Sequence, residues 1–340
     1  EGAEQDLRRA VEQAQAGGDP GTRAQAMVRL VWVVGRDRSR YQEARALGIQ
    51  AGAVLELIGA PPLLHADLDN NLGTVSRTAG ALDEALEHHQ RALERRREVL
   101  GDDHPDVGRS LTHIGNVLTA QGRLREAEDH LRRGLAQADR TLGPNHPSVA
   151  VGLMGLAYCL DKQDRVGEAL ALQRRALRIN ERAFGPDHPS SLHARLNLAK
   201  LAQKQGLHAQ TRALLADVPA SSGPGSAELD PHLETWLETL GRSELHLGHR
   251  AAVQHLGQVL EIMQAQGKDE LRLARPRFAL AQALRPDDPE RARALAEAAL
   301  QSLRVAIERA PPDQRSAPVL ALRDEIEAWL SRDPRSTGSR

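Results

Sequence analysis

The sequence predicts an all-α solenoid of about seven helix-turn-helix hairpins, closed by a C-terminal capping helix. The first observation is a repeat of prolines 42 residues apart, at Pro105, Pro147, Pro189 and Pro231. The second is a small residue that recurs at the same interval, at Gly73, Gly115, Ala157, Ala199 and Gly241. The third is a composition rich in Ala, Leu, Arg and Glu, which are strong helix formers. A fixed period of this length is typical of stacked hairpins.

The clearest hairpin spans residues 107–141. Leu111, Gly115 and Leu118 lie on one face of its first helix, and Gly122 ends that helix. Earlier hairpins are predicted over residues 21–58 and from Leu68 onward. Later ones begin near residues 149, 190, 233 and 278, and the hairpin from residue 190 has a short second helix. Residues 325–330 predict the closing helix, which covers the last apolar face.

These patterns divide the chain into five predicted segments. They are an N-terminal helix with a degenerate hairpin (1–62), core repeats (63–217), a flexible linker (218–229), degenerate hairpins with the capping helix (230–331) and a disordered tail (332–340). The linker is inferred from the Pro, Gly and Ser residues at 219–226, which favour an open chain.

Charge and composition argue against several classes of function. The net charge is −1, so neither nucleic acid nor an anionic membrane is an expected partner. No apolar run approaches the ~20 residues that span a bilayer, so we expect no membrane insertion. Cys159 is the only cysteine, which excludes an internal disulfide and favours a reducing, cytoplasmic location. The absence of an initial Met predicts a fragment or a processed product.

Histidines and the cysteine are the residues that could suggest chemistry. His104, His146 and His188 recur in one column, but equivalent positions in successive hairpins lie about two helix widths of ~8–10 Å apart. One metal ion needs its histidine nitrogens at ~2 Å, so this column predicts a turn between repeats, and we expect neither metal nor cofactor. Cys159 is interpreted as an inert core residue.

The repeat columns resemble a known family. Leu-x-x-(Ile/Leu)-(Gly/Ala), Gly-(Arg/Ala)-Leu-x-Glu-Ala and Gly-x-(Asp/Asn)-His-Pro are similar to the tetratricopeptide repeat, and the 42-residue unit resembles its kinesin-light-chain subtype. The resemblance implies a right-handed solenoid that binds proteins. The stretch 275–284, together with Trp329-Leu330, is similar to the segment C-terminal to such repeats in bacterial serine/threonine protein kinases. The chain has no phosphate-binding glycine loop and no His-Arg-Asp or Asp-Phe-Gly motif, so a kinase domain would lie elsewhere in a longer parent.

The resemblance also implies a ligand groove, because the first helices of such hairpins line the concave face. The residues expected on that face are Asn71, Arg77, Arg109, His113, Asn116, Tyr158, Lys162, Asn197, Lys200, Lys204 and Arg242. Asn can bond a peptide backbone and the basic residues favour negative charge, so an extended acidic peptide is the expected ligand. The alternative is that these are ordinary solvated helix faces. Binding of chaperone tails is not expected, because Asn70 and Thr74 stand where the family's carboxylate clamp has Lys and Asn.

The sequence leaves three hypotheses of function. The first is a non-catalytic interaction scaffold that holds a peptide or protein partner in the groove. The second is a regulatory or sensor arm of a larger bacterial signalling protein such as a kinase, with the predicted linker as a hinge. The third is an enzyme that uses His113, Tyr158 or Cys159, and the sequence supports it least.

Overall fold

The computed structural model describes residues 2–35, 40–216, 233–311 and 316–332, and in these ranges all regular structure is helical. The helices are α1 Gly2–Ala16, α2 Pro20–Gly35, α3 Tyr41–Leu57, α4 Pro62–Ala79, α5 Leu82–Leu100, α6 Pro105–Ala120, α7 Leu124–Leu142, α8 Pro147–Lys162, α9 Val166–Phe184, α10 Pro189–Lys204, α11 His208–Leu215, α12 Leu233–His246, α13 Ala251–Ala265, α14 Glu270–Leu284, α15 Pro289–Arg309 and α16 Ala317–Ser331. From α2 to α15 they pair as seven consecutive hairpins, and α16 comes after the last.

The repeating histidines cap the first helices. His104, His146 and His188 each stand directly before the proline that begins α6, α8 or α10. The Nδ1 atom of each ring accepts a hydrogen bond from the backbone N–H two residues later, at 3.2, 3.1 and 3.1 Å. Each ring thus satisfies one of the N–H groups that a helix start leaves unpaired, while the proline has no N–H to satisfy. The predicted turn role of this column is confirmed.

The small-residue column marks where the two helices of a hairpin cross. A Cβ built on Gly115 would lie 2.5 Å from Leu131 Cγ, and one on Gly241 would lie 2.8 Å from Leu256 Cγ. At the same place in the other hairpins, Ala157 and Ala199 are fully buried. Only Gly or Ala allows the helix axes to approach this closely, which explains why the column repeats.

The chain divides into two compact units, residues 1–194 and residues 195–340, here called unit 1 and unit 2. The core of unit 1 is built largely from aliphatic side chains, with Val31, Leu55, Ile114 and Leu153 nearly inaccessible to solvent. The core of unit 2 centres on Leu240, Leu256 and Leu303. Each unit therefore buries an apolar interior of its own.

The predicted fold class, an all-α stack of helical hairpins, is confirmed. The short second helix of the hairpin from residue 190 is α11, with eight residues. The predicted linker, Pro231 and all of the predicted tail except Arg332 lie outside the described residues. The five predicted segments therefore stay predictions. No helix within the described ranges is long and apolar enough to cross a membrane.

One helix begins earlier than the sequence pattern indicates. α14 starts at Glu270, where the Asp269 side chain accepts a hydrogen bond from Arg272 N–H at 2.9 Å, instead of near residue 278. Pro276 therefore lies inside the helix and is buried. A proline at this point removes one backbone hydrogen bond, and in a sequence it is easily mistaken for a helix start.

Candidate functional site

In each hairpin of unit 1 we call the first helix the inner helix and the second the outer helix. A cavity of about 720 Å³ lies on the inner helices, and three of the predicted groove residues line it. These residues are Asn71, Arg109 and His113. The lining also includes Gln25, Val28, Arg29, Trp32, Leu64, Asp67, Asn70 and Thr74. They come from α2, α4 and α6, which are the first helices of three successive hairpins. We call this space the unit 1 cavity.

The repeat itself assembles the unit 1 cavity. Arg29, Asn71 and His113 are separated by 42 residues, and so are Trp32 and Thr74. Equivalent positions of stacked hairpins face the same way, so each column supplies a row of side chains across the cavity. Arg29 and Trp32 are not among the predicted groove residues, because α2 belongs to the degenerate hairpin. Arg29 lies 42 residues before Asn71, and this repeat interval is the sequence signal from which its place could have been predicted.

Positive charge dominates the unit 1 cavity. Arg29 and Arg109 are exposed, and the Arg109 partner is Asp106 in the first turn of the same helix, at 3.2 Å. Asp67 is the one acidic side chain of the lining, and the buried Arg96 guanidinium donates to its Oδ1 at 2.8 Å. Because Arg96 neutralises Asp67, the two exposed arginines determine the sign of the potential at the cavity.

Two asparagines supply polar groups at the floor. The Asn71 Nδ2 donates to the carbonyl oxygen of Val28 at 2.9 Å, so part of its hydrogen-bonding capacity holds α4 against α2. The Asn70 Oδ1 is buried and has no hydrogen-bond partner among the described residues. A buried acceptor without a partner costs free energy, and rotation of the Asn70 side chain into the cavity that it lines would let it accept an N–H from a bound segment.

His113 is half-buried at the edge of the cavity and packs on a second histidine. Its ring stacks on that of His89, with centroids 4.9 Å apart and planes 5° from parallel. Burial first, and then the positive charges of Arg109, Arg96 and Arg77, lower the pKa of His113 to about 3. The imidazole is therefore neutral at pH 7, where it can donate or accept a hydrogen bond but adds no charge.

The remaining predicted residues of unit 1 lie outside the cavity lining. Arg77 is exposed near the C-terminal end of α4. Asn116 packs over α8, since a Cβ on Gly155 would lie 2.7 Å from its Oδ1. The Tyr158 ring is exposed on α8, and the Lys162 Nζ lies 5.4 Å from its centroid. These side chains share the first helices with the cavity but do not line it.

Four predicted residues belong to unit 2. Lys200 and Lys204 are exposed on α10, and Asn197 is half-buried there. Arg242 on α12 lines a different cavity, of about 570 Å³. The structure thus brings three of the eleven predicted residues together at one site.

The residues with possible catalytic chemistry do not converge. Cys159 is fully buried, and its Sγ donates weakly to the carbonyl oxygen of Leu124 at 3.4 Å. Tyr158 lies beside it in sequence but on the exposed face of α8. Across the described part of the chain, no group of three His, Cys, Asp or Glu side chains is placed to hold a metal ion.

Comparisons with known proteins agree with the fold. The tetratricopeptide repeat family model matches residues 64–140, 111–181 and 148–218. Among solved structures, a Podosopora anserina chain assigned as a kinesin light chain shares 24% sequence identity with this chain. Its tetratricopeptide-like repeats are nearly identical to one another. That match covers 61% of this chain and 97% of that one, with a TM-score of 0.50. The apo form of RapI is 13% identical over 83% of this chain and 99% of its own, with a TM-score of 0.56. At these identities the likeness shows the fold alone. No match is found among curated protein sequences.

Proposed function

We propose that the chain is a non-catalytic protein-interaction scaffold, because the tetratricopeptide repeat family model matches within residues 64–218. Its ligand is an extended acidic segment of a partner protein, held on the inner helices of unit 1. The observation that carries this proposal is the unit 1 cavity, whose lining combines two exposed arginines with an asparagine oxygen that has no hydrogen-bond partner among the described residues.

The chemistry of the cavity matches such a segment in two ways. Arg29 and Arg109 attract carboxylates, and at the rim of a concave surface this attraction also raises the rate of encounter. Asn70 and Asn71 bond backbone amides, which every peptide offers irrespective of its side chains. The indole of Trp32, 45% exposed, adds an apolar contact beside these polar groups. The segment is thus selected by charge and held by its backbone.

Site-directed photo-crosslinking tests where the segment binds. A photoreactive amino acid at Gln25 or Thr74 is placed in the unit 1 cavity, and one at Arg133 is placed on the exposed face of the outer helix α7. The probe is a short peptide of alternating Glu and Ser, and its counterpart has Gln for Glu. We expect crosslinks to the Glu peptide at Gln25 and Thr74 only. Equal crosslinking at Arg133, or of the Gln peptide, would reject the proposed site.

A second candidate is a regulatory arm of a larger bacterial signalling protein, such as a serine/threonine kinase. The feature that favours it is the separate cavity in unit 2, because a sensor needs a place for an effector besides its partner site. X-ray scattering with and without the acidic peptide separates the two candidates. A radius of gyration that peptide binding leaves unchanged argues against the regulatory arm, whose shape must respond to its ligand. In both cases we expect a cytoplasmic protein with no nucleic-acid partner and no cofactor.

A further inference from the structure

In unit 2, side chains of α12, α14 and α16 line a cavity of about 570 Å³, here called the unit 2 cavity. Its lining includes Arg242, His246, Arg275, Phe278, Leu322 and Trp329. This volume is within the ~300–1,000 Å³ of small-molecule sites. The cavity therefore has the size of a small ligand.

One wall of the unit 2 cavity is apolar and fixed. The Trp329 ring packs edge-on against Phe278, with centroids 5.7 Å apart and planes at 87°. The guanidinium of Arg285 lies 4.6 Å from the centroid of the same indole. One turn before Trp329, Ile326 is fully buried. These contacts hold α16 in place, so Phe278, Leu322 and Trp329 offer a preformed apolar surface.

The lining of the unit 2 cavity also carries positive charge. Arg242 is half-buried and lies 3.6 Å from Glu238 on the preceding turn of its own helix. Arg275 is exposed, and no ion pair joins it to any described residue. The His246 ring is oriented by its Nδ1, which donates to the Arg242 carbonyl at 2.8 Å. Against these groups stands a single acidic lining residue, Glu325. The cavity lining thus includes a group of side chains that favours an anion.

The charges next to the cavity limit how much negative charge a ligand can carry. Arg275 also lines an adjoining space of about 350 Å³, where Glu234 and Glu238 are found. A polyanionic peptide that extended past Arg275 would meet these two carboxylates and be repelled. A ligand with one anionic group at Arg275 would not extend to these carboxylates. The nearby acidic residues are the main difference between the unit 2 cavity and the unit 1 cavity.

We propose that the unit 2 cavity is a second ligand site, which takes a small amphipathic monocarboxylate. The carboxylate binds between Arg242 and Arg275, and the aromatic or alkyl body packs on Phe278, Leu322 and Trp329. Arginine suits this role because its planar fork of N–H donors matches a carboxylate. The site is distinct from the proposed peptide site, and α16 supplies its outer wall.

Calorimetric titration of the full chain tests this proposal, with phenylbutyrate as the probe and phenylbutanol as its neutral counterpart. We expect phenylbutyrate to bind about tenfold more tightly than the alcohol, because charged hydrogen bonds add to the same apolar contact. Arg275→Gln and Arg242→Gln should each remove about this tenfold advantage and leave the affinity for the alcohol unchanged. Ala321→Trp, at an exposed lining position, should abolish binding of both compounds.

Two control variants locate the effect. Arg272→Gln changes an exposed arginine on α14 that lines only the adjoining space, so binding of phenylbutyrate should be unchanged. Arg29→Gln with Arg109→Gln alters the peptide site alone, so failure of one proposal is distinguishable from failure of the other. Equal affinity for acid and alcohol, no binding of phenylbutyrate, or an Arg272→Gln loss equal to that of Arg275→Gln would each overturn the proposal.

Discussion

His89 and His113 stack face to face, with ring centroids 4.9 Å apart and planes 5° from parallel. His89 is fully buried, and neither of its ring nitrogens has a hydrogen-bond partner among the described residues. Above it, a Cβ built on Gly73 would lie 2.8 Å from the ring. His89 thus occupies the helix crossing where the next hairpin has Leu131 against Gly115. Because the His89 ring is polar and its counterpart Leu131 is apolar, the effect of replacing His89 on the free energy of unfolding can be predicted.

His89→Leu should stabilise the fold. The substitution removes two unpaired buried nitrogens and installs the side chain that packs against Gly115 one repeat later. We expect the free energy of unfolding, measured by urea denaturation at pH 7, to rise by about 1–2 kcal/mol. The adjacent His88→Leu is the control, because the His88 Nδ1 is bonded to Asp69 Oδ1 at 2.9 Å and the change should destabilise. A destabilising His89→Leu would mean that the ring has an unrecognised role.

Stability should fall in mild acid. Burial, followed by the charges of His113 and Arg77, lowers the pKa of His89 to about 2, and that of His113 is about 3. The unfolded chain binds protons to histidine below pH ~6.5 while the folded chain does not, so the free energy of unfolding decreases as pH drops. Between pH ~6.5 and ~5, His89 should account for about 1–2 kcal/mol and the more accessible His113 for less.

Urea denaturation at several pH values checks this second prediction. His89→Leu should reduce the slope of stability against pH over this window. The carboxylates with lowered pKa values, such as Asp69 and Glu128, lose their contribution only at lower pH, so they do not obscure the effect. An identical slope in the variant would show that His89 is protonated in the folded chain.

Overpacking of the hairpin crossings should destabilise the chain. A Cβ at Gly115 would lie 2.5 Å from Leu131, and Ala169 is fully buried on α9. Gly115→Leu and Ala169→Leu should each lower the free energy of unfolding by about 1–3 kcal/mol. Gly167→Ala is the control, since no atom lies within 4 Å of its built Cβ, and it should be neutral or stabilising. If neither leucine variant changed the melting temperature, the assignment of Gly115 and Ala169 to the hairpin crossings would be wrong.

Much of this arrangement is predictable from the sequence, for reasons visible in single residues. His104 and Gly115 repeat because each hairpin needs a capped start and a close crossing, and both requirements recur with the period. The candidate site is less predictable. Arg29 reaches the unit 1 cavity from a hairpin too degenerate to align by its own motif. The wall that α16 forms in unit 2 depends on packing of Trp329 against Phe278, and no periodicity encodes that contact.

Charge reversal on α10 tests whether peptide binding is confined to the unit 1 cavity. Lys200 and Lys204 are exposed in unit 2 and do not line that cavity, so changing both to Glu should alter the affinity of an acidic peptide much less than Arg29→Gln with Arg109→Gln does. Fluorescence anisotropy with the labelled Glu-Ser peptide at low salt measures this difference. Arg250→Glu is the control, because Arg250 is exposed at the start of α13 and its partner is Asp287 at 3.7 Å. A loss for the lysine variant as large as that for the arginine variant would argue against binding in the unit 1 cavity alone.

The affinity of the Glu-Ser peptide for the double variant Arg29→Gln, Arg109→Gln tests the central claim most directly. If an acidic segment binds in the unit 1 cavity, this variant should lose about tenfold in affinity at low salt, equivalent to about 1.4 kcal/mol. Its dependence on salt should also become shallower, while Arg133→Gln on the outer helix α7 behaves like the unaltered chain. Undiminished binding by the double variant, with the same salt dependence, would contradict the account.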